Sequence, residues 1–399
     1  MELSNVKDFI NNALQQSNPA EKQEYTPGEN PEVDLQLAKQ FFKNKLYAQA
    51  EPLLILCADT ADLPEAHLLL GSLYFEQNKK EEAKKYLTIA ADKHNLAHAY
   101  SSLGFLYKEL NDTVQAISYF EKAENDTKTV EFATTQLGLI YLGMETEPEK
   151  AKKYLHKASD EFKSPEASAG LGLLYLSQNN RDLGIQYLMR APEMPAALYH
   201  IGTTFMKEGK FKRAISYLQK AADTHKFPPA FYALGNLFLI KDDVKSAKKY
   251  LHVAVDTYKI PQAYCDLGYI YYKAGNLATA KNYIKEAADT HNVKEAYGLL
   301  GSVLRELKEF DEAKKYLEIA AQEHKLPSAY LNLGLLHEEL GELESAKKYL
   351  HISADEHKNP MAMITLHSLY EQEKNEEKAQ EYKDRAYATM NANIENSND

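Results

Sequence analysis

The 399-residue chain has no tryptophan, only two cysteines and no long apolar run. A spanning helix needs about 20 consecutive apolar residues, so no membrane insertion is expected. Cys57 fills a small-residue position that Ala90 and Ala123 hold further on, and Cys265 lies far along the chain. Two distant thiols make no disulfide framework, which fits a reducing compartment. Basic excess is missing too: 47 Lys and Arg face 58 Asp and Glu, a net charge of −11. Such a surface repels polyanions, so no nucleic acid is expected as partner, nor an anionic membrane. The opening MELSNVKDFINNALQQ lacks a basic stretch followed by an apolar one, so it reads as no secretory signal, and a cytoplasmic location is expected. There is no Walker glycine loop, no Cys-x-x-Cys pair and no nucleophile elbow. The chain therefore reads as no enzyme, with no cofactor.

What is present is a period. Gly71, Gly104, Gly138, Gly172, Gly202, Gly235, Gly268, Gly301 and Gly334 follow one another at steps of 33, 34, 34, 30, 33, 33, 33 and 33 residues. Extending the step reaches Ala38 and His367, giving eleven copies of one unit. A period of this size marks a solenoid of stacked supersecondary units.

Each unit opens with apolar residues at helical spacing, such as Tyr264, Leu267 and Tyr271. A breaker follows, as at Gly275-Asn276, and a second stripe runs through Ala280, Ile284 and Ala287. The unit is thus helix, turn, helix. Glycine inside a helix costs about 0.5–1 kcal/mol against alanine, so a close approach of the paired helix is expected as compensation. The expected contact is the alanine twelve residues on: Ala50, Ala83, Ala116, Ala214, Ala247, Ala280, Ala313, Ala346 and Ala379, with Ala151 one place late and Gly184 as the exception. The step from Gly172 to Gly202 is three residues short, and Pro192 and Pro195 fall where the second helix should end, which predicts a local irregularity.

Leu103-Gly104, Tyr107, Ala116, Phe120 and Ala123 carry the pattern Leu-Gly, an aromatic three residues later, then small, aromatic and small positions. This pattern resembles the tetratricopeptide repeat family over about residues 31–390. The usual 33-residue step and doubled alanines such as Ala320-Ala321 lean toward the related Sel1-like repeats. The resemblance implies an all-α, right-handed α-solenoid of about eleven helix-turn-helix repeats. On this reading residues 1–16 form an amphipathic helix or cap, 17–31 a linker, 32–390 the solenoid and 391–399 a disordered tail. The apolar side of the first segment is Val6, Phe9, Ile10 and Leu14.

Two recurring motifs look like chemistry. Asp-x-His appears as Asp92/His94, Asp223/His225, Asp289/His291 and Asp355/His357, but the histidine position is Phe162 and Tyr258 elsewhere. The slot asks for a flat ring near a helix end, so no metal site is expected. Lysine pairs recur at Lys84-Lys85, Lys152-Lys153, Lys248-Lys249, Lys314-Lys315 and Lys347-Lys348. They are expected to solvate the outer helices, with Glu81–Lys85, Asp311–Lys315 and Glu344–Lys348 as i, i+4 ion pairs.

The resemblance further implies that first helices line a concave groove. The positions three before, one after and four after each marker glycine would point into it: Leu139, Leu142, Leu173, Leu176, Tyr199, Met206, Tyr232, Asn236, Leu239, Cys265, Tyr269, Tyr272, then Ser302, Arg305, Leu335 and Glu338. Tyrosine brings rigid area and a hydroxyl, which suits recognition. The implied function is a non-catalytic scaffold or adaptor holding a protein or peptide partner. The alternatives are a dedicated inhibitor, immunity protein or chaperone capping a toxin or secreted effector, and a structural subunit of a larger assembly. The oligomeric state stays open.

Overall fold

In a computed structural model, residues 2–17 and 24–398 are described. Proline sets where many helices start: Pro31, Pro64, Pro148, Pro165, Pro228, Pro261, Pro327 and Pro360 each occupy the first turn, where the missing N–H has no partner to lose. Left-handed residues set where helices stop. Asn78, Asn111, Gly275 and Gly341 do so between the helices of a repeat, and Asp62, Asn95, Lys259 and Asn292 between repeats.

The resulting order is α1 (Leu3–Ser17) and then eleven helix pairs among the described residues. The first five are α2 (Pro31–Lys43) with α3 (Tyr47–Ala61), α4 (Pro64–Glu76) with α5 (Lys80–Thr88), α6 (Ala97–Glu109) with α7 (Thr113–Ala123), α8 (Val130–Met144) with α9 (Pro148–Asp160), and α10 (Pro165–Ser177) with α11 (Arg181–Leu188). Next come α12 (Pro195–Lys207) with α13 (Phe211–Gln219), α14 (Pro228–Ile240) with α15 (Val244–Asp256), and α16 (Pro261–Lys273) with α17 (Leu277–Asp289). The last three are α18 (Lys294–Glu306) with α19 (Phe310–Gln322), α20 (Pro327–Glu339) with α21 (Leu343–His351), and α22 (Pro360–Gln372) with α23 (Glu376–Asn398). No strand occurs among the described residues, and the fold is an all-α solenoid. None of the described helices is long and apolar enough to cross a membrane. The chain divides into two compact units, Met1–His200 and Ile201–Asp399.

Within a repeat the marker glycine touches its partner helix, but mainly through a different residue than the alanine expected. A Cβ on Gly235 would lie 2.6 Å from Cγ of Leu251, sixteen residues on. At Gly334 the same contact is Leu350 at 2.6 Å, with the backbone oxygen of Ala346 at 3.4 Å. The alanine thus keeps the backbones close, and the leucine fills the space that the glycine leaves. In the fifth pair Gly184 stands in the alanine slot because Leu176 lies over it, 2.7 Å from where a Cβ would be.

Three segments depart from the expected organisation or fall outside it. α1 buries Val6 and Ile10 in the core of the first repeats, and Phe9 meets Phe41 at 5.9 Å. Of the expected linker, residues 18–23 lie outside the described residues, and Tyr25 and Gly28 are held by the Asp34 carboxylate. α23 runs to Asn398, with no proline or glycine to interrupt it, across the segment expected as a tail, of which residue 399 lies outside the described residues. At the short step, α11 has 8 residues, the fewest of the described second helices, and Pro195 begins the next helix.

Candidate partner-binding face

The even-numbered helices from α2 onward supply every residue implied to line the groove. All are half-buried except Tyr269, which is exposed. In the first unit Leu139, Leu142, Leu173 and Leu176 mostly serve packing. Leu139 lies against Gly170 of the next first helix, 3.2 Å from where a Cβ would be. Leu139 and Leu142 both pack on the cluster of Leu155, Ala158 and Leu171, and Leu176 covers Gly184. Tyr199 and Met206 lie on α12, through which the division between the units runs, and the Tyr199 ring meets His200 at 5.1 Å.

The second unit is more polar. Tyr232 on α14 reaches Asn236 one turn on and Asp266 on α16. Burial first, then Asp266, pushes the Tyr232 hydroxyl up to about 12. Burial likewise raises the Asp266 carboxyl, whose Oδ2 has no partner. Tyr272 on α16 donates to Glu306 on α18, and Arg305 on α18 pairs with Glu339 on α20. These links join successive first helices, so the residues share one layer. Leu239 sits beside Asn236 on α14, half-buried. Tyr269 stands free of the layer, 45% exposed, with Lys273 5.5 Å above its ring. Further on, burial and the neighbouring Glu339 raise the Glu338 carboxyl, which marks a local acidic excess beside Arg305.

A recess of about 240 Å³ in the first unit escaped the sequence reading. Phe42, Ser72, Phe75, Ser101, Phe105 and Phe132 line it, and Phe75 meets Phe105 edge-on at 5.8 Å. Most of these residues obey the same offsets from Ala38, Gly71 and Gly104, so the signal was present in the early repeats.

The recurring histidine slot is a ring-contact position. Tyr264 meets His291 at 4.9 Å, Tyr297 meets His324 at 4.7 Å, Tyr330 meets His357 at 5.3 Å and Phe231 meets Tyr258 at 5.3 Å. Asp92 is not the partner of His94. Nε2 of His94 lies 3.2 Å from Oδ1 of Asp62, and Nε2 of His67 lies 3.0 Å from the same oxygen, with Lys93 on Oδ2 at 2.6 Å. His67 Nδ1 is buried without a partner. The Lys93 and His67 hydrogen bonds hold the Asp62 carboxyl well below the usual range. These three residues are the one group of three potential metal ligands among the described residues. The lysine pairs also differ from expectation. Lys85, Lys315 and Lys348 lie over Tyr86, Tyr316 and Tyr349 at 4.9, 5.5 and 5.6 Å. Among the described residues none of them pairs with the acid one turn earlier, and the bond that forms is Lys347 with Glu344 at 2.6 Å.

Two family profiles described as tetratricopeptide repeat match the chain, one at residues 265–324 and 299–351, the other at 64–90, 97–125 and 195–224. No curated protein matches. Among solved structures, the chain is similar to the APC/C hetero-tetramer Cut9–Hcn1, at 14% identity over 96% of this chain and 89% of that one, with a TM-score of 0.43. It is also similar to the human IFIT1 dimer with PPP-AAAA, at 16% identity over 96% and 94% of the two chains, TM-score 0.45. Yeast Tom70 matches at 14% identity over 91% and 96%, TM-score 0.37. The matched segments fall in both units, on helix pairs whose marker glycine meets a large apolar side chain of the partner helix, and these segments are tetratricopeptide repeats.

Proposed function

We propose that this chain is a non-catalytic scaffold that holds an extended segment of a partner protein against the first-helix layer of its second unit. Tetratricopeptide repeats mediate protein–protein interaction in general. The observation that carries the finer reading is the set Tyr232, Asn236, Tyr272 and Arg305, half-buried on three alternate helices, where Tyr232 bonds Asn236 and Asp266, Tyr272 bonds Glu306 and Arg305 bonds Glu339, with Tyr269 exposed beside them. Rings held this way offer contact area at little entropic cost. Apolar side chains of the segment would lie on Tyr232 and Tyr269, and Asn236 would bond its backbone. The acidic excess around Glu306, Glu338 and Glu339 favours a lysine or arginine further along the segment.

The non-catalytic reading is supported by the two thiols, which burial pushes up to about 11 at Cys57 and about 12 at Cys265, so that neither is an activated nucleophile. Both are free, which supports a reducing, cytoplasmic setting. Within the repeat family, the 33-residue step and doubled alanines support a place near the Sel1-like members.

The test is capture of partners from the native cell by the full chain, identification by mass spectrometry, and titration of the purified partner. Replacing Tyr232 and Tyr269 together with alanine should weaken binding by about 2 kcal/mol or more, the scale of a hot spot. Thermal stability should change less. If Phe75→Ala and Phe105→Ala abolish binding while the tyrosine pair leaves it intact, the binding face lies in the first unit and this reading fails.

A further inference from the structure

The repeats supply their own baseline for the Asp62 cluster. At the position of His67 five other repeats carry an aromatic ring, Tyr100, Phe231, Tyr264, Tyr297 and Tyr330, and the rest carry Asp34, Thr134, Ser168, Leu198 and Met363. At the left-handed position of Asp62 the five ring-bearing repeats carry Asn95, Lys226, Lys259, Asn292 and Lys325, and two more carry Lys163 and Lys358. In two repeats the two positions are bonded as they are here: Tyr100 donates to Asn95 at 2.9 Å and Tyr297 donates to Asn292 at 3.0 Å, where His67 bonds Asp62. Opposite them stands the ring slot, here His94, stacked on His67 at 5.5 Å. Among the described residues two imidazoles and a carboxylate converge in this repeat alone, where the repeats of Tyr100, Tyr264, Tyr297 and Tyr330 place a phenol and an amide or ammonium.

We propose that Asp62, His67 and His94 bind a divalent transition metal ion, zinc or a congener, through Oδ1 and the two Nε2 atoms. The convergence has the right dimensions. Two bonds of about 2.0–2.1 Å at a tetrahedral angle set their donor atoms about 3.3 Å apart, and the observed Oδ1–Nε2 separations are 3.0 and 3.2 Å. All three donor atoms lie within 4.8 Å of one another. The donor set is borderline-hard, two neutral imidazoles and one carboxylate, which suits zinc, nickel or copper and disfavours calcium and magnesium. His67 is held by burial and by stacking on Tyr86 at 6.1 Å, so its ring direction is fixed before the ion arrives. Lys93 keeps Oδ2 and leaves Oδ1 to the ion; its charge weakens the site, which should bind in the micromolar range. Three protein ligands leave a fourth position open to water or to a ligand atom from a partner. This departs from the sequence expectation of no metal site, which was argued from Asp-x-His; His94 belongs to that motif, and Asp92 plays no part here.

The test uses the full untagged chain freed of metal by dialysis against a chelator. Zinc is titrated by calorimetry and cobalt by its visible absorption. The substitutions Asp62→Asn, His67→Tyr and His94→Tyr each install a residue that another repeat already carries at that position, so the fold should tolerate them. The expected result is one ion per chain, cobalt bands of tetrahedral character, and affinity weakened about tenfold or more by each substitution. His291→Tyr, at the same slot of a later repeat, should leave binding unchanged. Absence of zinc binding by the parent chain, or equal affinity in the parent, Asp62→Asn and His94→Tyr proteins, overturns the proposal and leaves a hydrogen-bonded cluster only. Should His67→Tyr fail to fold, the other two substitutions decide.

Discussion

Tyr232 and Asp266 show how a single residue on the candidate face sets a measurable property. The Asp266 carboxyl is half-buried beside Tyr232 and Cys265, its Oδ2 has no partner, and burial raises its pKa. A raised carboxyl binds its proton more tightly in the folded chain than in the unfolded one. Stability therefore falls as pH rises from the unfolded value of about 3.9 through the folded one, and the penalty is complete above it. Replacing Asp266 with asparagine removes the charge and keeps the shape. The variant should be more stable than the parent at pH 7, and the gain should vanish below about pH 3.5. Urea midpoints across that range check this; a gain independent of pH would mean that packing, not ionisation, is responsible.

At the scale of the element, the second helix of several repeats is fastened by a ring and a cation. Tyr283 on α17 lies parallel to Tyr271 on α16, 5.6 Å apart with 2° between the planes, and Lys248 of α15 covers the Tyr271 ring at 4.1 Å. Tyr107 with Tyr119, and Tyr141 with Tyr154, repeat the stack at 5.4 and 5.7 Å. The recurring lysine is therefore a clamp between one second helix and the following first helix. Lys248→Met keeps the aliphatic stem and removes the charge, and should cost about 0.5–1 kcal/mol. Lys245→Met, exposed on the same helix, should cost almost nothing. Equal costs, measured by denaturant midpoint, would reduce the ring contact to coincidence. The period, the helix pairs and the ring-contact slot were legible in the sequence because proline, left-handed residues and the marker glycine act locally. The clamp was not, because Tyr271 lies 23 residues beyond Lys248 on another helix, whereas the acid one turn away is visible at once. The Asp62–His94 contact was hidden for the same reason: it spans 32 residues across a repeat boundary. The face itself was only half legible. Offsets from the glycine found Tyr232 and Arg305, but could not tell that Leu139 and Leu176 turn toward neighbouring backbone.

For the whole molecule, the consequence of the repeat is that stability is local. Each helix touches those one or two places away in sequence: α18 packs on α17 and α19, and more lightly on α16 and α20. In such a chain the free energy is close to a sum of repeat terms and nearest-neighbour terms, so damage to one repeat travels only as far as its interfaces. Gly301 supplies the means to test this. A Cβ there meets Leu317, and leucine would force α18 and α19 apart, a loss of about 1–3 kcal/mol or more from overpacking. Hydrogen exchange followed by mass spectrometry should then show faster exchange across residues 294–339, where α18, α19 and α20 lie. Residues 64–160, in the other unit, should keep the protection of the parent chain. Loss of protection throughout both regions would mean that the chain unfolds as one cooperative body, and the additive description would have to be abandoned.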